Sequence, residues 1–139
     1  MTYRYFLLSL VCLSLVTVAA SATSIPEAKP IQELTDVKPT QAVFKDAGRG
    51  KPLVLRKQED LAKYFAKDEL EKITAKVDLK NQVVLVFAWR GSGGDRLSYD
   101  VLESFPEQIV FRIKPGRTKD LRRHVRLFAL RSNVKWSVK

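Results

Sequence analysis

Val83-Val84-Leu85-Val86-Phe87-Ala88-Trp89 is continuously apolar and rich in β-branched residues. Side chains alternate between the two sides of a strand, so an unbroken apolar run leaves neither side for water. The stretch predicts a central strand buried on both faces. Downstream the pattern changes to alternation. Arg90-Gly91-Ser92-Gly93-Gly94-Asp95 reads as a turn, and Leu97, Tyr99 and Val101 alternate with Ser98, Asp100 and Leu102. Pro106-Glu107 marks the next turn, Ile109 to Ile113 a third strand, and Lys114-Pro115-Gly116 its end. Val125, Leu127 and Ala129 predict a fourth strand; Arg131-Ser132-Asn133 turns the chain into a last one through Val134, Trp136 and Val138. Short connections between successive strands favour an antiparallel meander.

Upstream, Gln58 to Lys76 has helical spacing. Leu61, Tyr64, Phe65, Leu70 and Ile73 recur at three- and four-residue steps among charged residues. Asp68, with Glu71 three positions on, has the capping-box arrangement, which divides the stretch into two short helices. The charges between the apolar positions read as a solvated face. Pro52 to Leu55 predicts a short strand. Gln41 to Asp46, with Ala42 and Phe44 apolar, is expected to be another, stopped by Gly48 and Gly50. The expected fold class is α+β, with two short helices packed on a mostly antiparallel sheet in two layers.

The N-terminus carries an address. Arg4 precedes an apolar run from Phe6 to Ala20, and Ala20-Ser21-Ala22 follows with the small-x-small pattern of a signal-peptidase site. The run is shorter than the roughly 20 residues that a spanning helix needs. We expect residues 1–22 to be a cleavable signal peptide and the mature protein to be periplasmic or secreted, with no transmembrane span left. Thr23 to Thr40, with Pro26, Pro30 and Pro39 and no clear period, is expected to be a flexible leader. Residues 41–139 would then form a single domain. The one cysteine, Cys12, falls inside the signal, so the mature chain has neither a disulfide nor a thiolate metal site. Val11 before it fits a lipidation signal poorly.

The order of elements resembles a known family, the C-terminal domain of PrcB-like proteins, named for a bacterial component that stabilises a protease complex. The likeness rests on Glu59-Asp60-Leu61 with Phe65, on Val77-Asp78-Leu79-Lys80-Asn81-Gln82-Val83-Val84-Leu85-Val86, on the Gly91-Ser92-Gly93-Gly94 turn and on Leu97-Ser98-Tyr99-Asp100-Val101. It covers roughly residues 53–138. Asp95 departs from the pattern, since the family more often has Tyr or Phe after the glycine pair. The resemblance implies an exported domain that binds a partner protein and is not itself an enzyme. Fold likeness does not carry function, so a role in stabilising a protease is implied more loosely still.

The net charge of +10 is unevenly spread. Residues 23–110 hold equal numbers of acids and bases, whereas residues 111–139 hold ten basic residues against Asp120 alone. Such an excess makes a field that attracts anions. Arg117, Arg122, Arg123 and Arg126 are the candidate binding residues, with Arg122 and Arg126 on one side of a strand and Arg123 on the other. The competing reading is a soluble surface whose cations protect strand edges. An export signal disfavours nucleic acid. The expected partners are an acidic protein, an acidic polysaccharide or lipid headgroups. Phe128 and Trp136 read as sheet packing rather than base-stacking platforms.

Other chemistry is thinly represented. Gly91, Gly93 and Gly94 could form an anion cradle, but phosphate loops run into a helix and bring a Lys-Ser/Thr pair. A hairpin turn with positive φ, or a bulge, is the expected role. His124 is the only histidine and has no cysteine beside it, so no metal and no cofactor is expected. Ser92 lies outside a Gly-x-Ser-x-Gly elbow. Asp95, Asp100 and Glu103 are close in sequence, which keeps an unfamiliar hydrolase in view, although a charged hairpin face explains them. Three functions follow in order: an exported non-enzymatic interaction module, an anion-binding surface protein, and a hydrolase.

Overall fold

The computed structural model describes residues 29–139. The expected signal peptide and the first residues of the expected leader lie outside the described residues. In chain order the elements are β1 (Ile31–Glu33), α1 (Val43–Asp46), β2 (Leu53–Leu55), α2 (Gln58–Ala62), α3 (Lys67–Lys76), β3 (Gln82–Ser92), β4 (Arg96–Leu102), β5 (Gln108–Lys114), β6 (Leu121–Arg131) and β7 (Lys135–Val138). The class is α+β, with mostly antiparallel strands.

The strands form two sheets, ordered β1-β6-β3-β2 and β4-β5-β7. β3 and β6 pair antiparallel along their full length, from Gln82 opposite Arg131 to Ser92 opposite Leu121. The four-stranded sheet has the helices on one side and the three-stranded sheet on the other. On the helix side, Val84, Val86, Ala88, Leu127 and Ala129 pack with Val43, Leu61, Phe65 and Ile73. On the opposite side, Val83, Leu85, Phe87, Phe128 and Leu130 pack with Leu97, Ile109 and Phe111. Phe87, Phe111 and Phe128 form an aromatic cluster with centroid separations of 4.8, 6.0 and 5.2 Å. Burying a side chain of this kind contributes about 1.5–3 kcal/mol. β3 is thus covered on both faces, as its composition requires.

The meander is corrected. β3 pairs with β6 and not with β4, because the doubly apolar β3 needs a cover on each face and the β4–β5 hairpin crosses over to provide one. The last strand, β7, runs parallel to β5. The leader is also corrected from its thirties onward. β1 pairs with β6 through Ile31 opposite Leu130, and Ile31, Leu34 and Val37 are buried. Ile31 joins one core while Leu34 and Val37 join the other, because the segment wraps around the sheet edge. Three apolar residues divided between two cores produce no period. The folded unit therefore includes residues before 41.

Gln41 to Asp46 is not a strand. One helical turn, α1, carries Val43 into the core, with Ala47 N–H bonded to the Val43 carbonyl at 2.8 Å. The division of 58–76 into two short helices is correct, but the cap is not: Ala66 precedes α3, and Asp68 and Glu69 lie in its first turn. They still oppose the positive end of the helix dipole.

Candidate functional site

The turn from β3 to β4 is assembled around a buried carboxylate. Asp95 is only 3% exposed. Its Oδ2 accepts hydrogen bonds from Trp89 Nε1 at 2.9 Å and Arg49 Nη2 at 2.7 Å; its Oδ1 accepts from the Gly116 amide at 2.8 Å. The Gly116 amide, followed by Trp89 and Arg49, holds the Asp95 carboxyl below its usual range against the opposing effect of burial. A buried charge with three donors is satisfied, so Asp95 acts as a rivet between the turn, the loop before β2 and the loop after β5.

Gly93 and Gly94 lie in the turn as expected, whereas Gly91 belongs to β3, and the reason for glycine is not the expected one. Among the described residues no glycine has positive φ. A Cβ on Gly91 would run into the Asp95 carboxylate and the Arg49 guanidinium, and one on Gly116 would overlap the backbone of Gly94. Close approach, not left-handed backbone, excludes side chains here. Gly93 donates its amide to Asp120 at 3.1 Å, so the turn cradles a carboxylate of its own chain.

The hydroxyls and imidazole nearby are engaged. Ser92 Oγ lies 2.7 Å from Thr118 Oγ1 and accepts from the amides of Gly94 and Thr118 at 3.2 and 3.1 Å. Asp120 accepts from Arg122 Nε at 2.6 Å. The Thr118 hydroxyl, the Gly93 amide and Arg122 together pull the Asp120 carboxyl down to about 2. His124 stacks on Trp89 at 4.8 Å, and its Nε2 lies 2.8 Å from the Ser92 carbonyl. Donation to that carbonyl places the hydrogen on Nε2. His124 therefore faces the backbone of Ser92 rather than its hydroxyl, which is not the arrangement of a nucleophile and its base. Asp95 is held in the interior, whereas Asp100 pairs with Arg112 at 2.8 Å on the surface. Among the described residues no group of three or more His, Cys, Asp or Glu side chains is placed to hold a metal ion.

The candidate arginines separate as their alternation requires. On the sheet-facing side, Arg122 pairs with Asp120, and Arg126 binds Glu33 at 2.5 Å and the Leu97 carbonyl at 3.3 Å. On the helix side, Arg123 lies over the Phe44 ring at 5.7 Å. Arg123 is also directly opposite Arg90 on β3. Both are exposed, and neither has a carboxylate partner among the described residues. Arg117 and Lys119 are exposed on the loop that Gly116 and Thr118 fasten to the β3–β4 turn. Arg90, Arg117, Lys119, Arg122 and Arg123 thus share one end of the molecule. Arg126 is largely neutralised. Sequence reasoning did not find Arg90 as a site residue, because its apposition to Arg123 depends on a pairing between distant strands.

No protein-family model, curated protein or solved structure matches the chain. No helix among the described residues is long and apolar enough to cross a membrane.

Proposed function

We propose that the protein is an exported, non-enzymatic interaction module of the cell envelope that takes an acidic partner protein at its cationic end. The observation that carries this reading is the Arg90–Arg123 pair. Like charges directly opposite on adjacent strands destabilise a sheet, and no carboxylate among the described residues pairs with these two. An external carboxylate would relieve them both. Arg117, Lys119 and Arg122 extend the same field around the β3–β4 turn. The resemblance to PrcB-like domains supports a partner that is itself a protein, such as a protease complex, and the proposed signal peptide supports its location outside the cytoplasm.

Charge reversal tests the site. Wild-type protein should be retained on an anionic matrix at low salt and released at moderate salt, and Arg90→Glu/Arg123→Glu should elute earlier. Equal elution of the two would remove the site. A photo-cross-linker at position 90 in cells distinguishes partner classes. One discrete protein adduct supports a protein partner; a smear on acidic polysaccharide or lipid would favour the anion-binding surface instead.

A further inference from the structure

Beside the cationic end, and meeting it at Arg123, lies a cleft of about 450 Å³. Leu34, Val37 and Pro39 from the segment after β1, Phe44 of α1, and Val125 and Leu127 of β6 supply its apolar lining. A helix-side position on a central strand is normally covered, yet Val125 remains half-exposed, as does Phe44. Small-ligand sites commonly measure about 300–1,000 Å³ and combine an apolar lining with a few placed polar groups.

The unpaired charge at this cleft is positive. Lys38 and Arg123 line it and are exposed, and neither makes an ion pair among the described residues. The only carboxylate in the lining is Glu33, which Arg126 already holds at 2.5 Å. Arg123 is steadied by the face of Phe44, so its guanidinium is held beside the apolar lining instead of ranging through solvent. An apolar lining next to an unspent, steadied guanidinium complements a molecule with a hydrocarbon body and one anionic head. A planar carboxylate suits the guanidinium fork best.

We propose that this cleft binds an aliphatic monocarboxylate, with the chain against Phe44, Val125 and Leu127 and the carboxylate on Arg123. The site adds a small-molecule ligand to the proposed protein-binding end and shares only Arg123 with it.

Decanoate, kept below the concentration at which it self-associates, is the probe, titrated into the purified protein by calorimetry and by amide chemical shifts. Saturable binding is expected, with shifts confined to residues 34–44 and 123–127. Decyltrimethylammonium, which has the same chain and the opposite charge, should not bind. Arg123→Ala should weaken decanoate by about tenfold or more, and Arg123→Lys should recover part of the loss. Phe44→Ala should weaken it as well; should that variant fail to fold, the exposed Arg123 variants decide alone. Arg117→Ala/Arg122→Ala, outside the cleft, should leave decanoate unaffected while reducing retention on the anionic matrix. Equal binding of the cationic detergent, unchanged affinity in Arg123→Ala, or shifts centred elsewhere would each overturn the proposal. Matrix retention that persists without decanoate binding would discard the cleft and leave the partner site standing.

Discussion

Gly116 stands against Gly94 so closely that a methyl group on Gly116 would overlap the Gly94 backbone. The two belong to loops more than twenty residues apart, and their contact lets Asp95 reach the Gly116 amide and Thr118 reach Ser92. A rigid backbone neighbour cannot swing aside as a side chain can.

Gly116→Ala should therefore destabilise the protein by about 1–3 kcal/mol, the usual cost of overpacking. Gly50→Ala is the control, since nothing lies within 4 Å of a Cβ there. It should be neutral or slightly stabilising through the unfolded state. Urea midpoints measure both, and equal midpoints would remove the tight contact.

The strand-forming segment before α1 gives a second prediction. Leu34 is 3% exposed, in the core beneath the helices. Leu34→Ala should cost about 3 kcal/mol, as leucine-to-alanine changes in cores generally do. A flexible leader would make the change silent. Chemical denaturation of the variant separates the two outcomes.

Asp120 links stability to pH. Its folded value of about 2 lies below the ordinary 3.8. A depressed carboxyl stabilises the fold where it is ionised in both states, above about pH 4, and that contribution disappears as pH falls toward 2. Asp95 shifts in the same direction. Between pH 4 and pH 2 the urea midpoint of the wild type should fall further than that of Asp120→Asn. Parallel curves would show that the Thr118, Gly93 and Arg122 contacts do not hold Asp120 ionised.

Two phenylalanines on neighbouring stretches should behave oppositely. Phe111 is fully buried and packs on Phe87 and Phe128, whereas Phe105 is completely exposed on the β4–β5 connection. Phe111→Ala should cost about 3–5 kcal/mol. Phe105→Ala should change stability by less than about 0.5 kcal/mol. Thermal or urea unfolding of the pair checks this assignment of the core.

Local pattern in the sequence carried much of this fold. The apolar run of β3 announced burial on both faces, the steps of three and four announced α2 and α3, alternation announced β4 and β6, and flanking turn signals bounded β5. Pairing was less legible, because a strand's partner is chosen by long-range packing and Arg90 meets Arg123 only after β6 returns from the far sheet. β1 escaped notice because its neighbouring apolar residues divide between two cores. α1 misled because Ala42 and Phe44 alternate over too short a span to distinguish a strand from a turn of helix. Of the site, the cations and the side each occupies were readable from alternation. The burial of Asp95 was not, since an aspartate after two glycines looks like an exposed turn residue until Trp89, Arg49 and Gly116 close on it.

The ladder between β3 and β6 is a party wall: each strand has eleven residues, and both cores are built against it. Neither compartment can be lost without exposing the wall's back surface to water. Heat should accordingly collapse both at once, in a single cooperative step with no half-melted survivor.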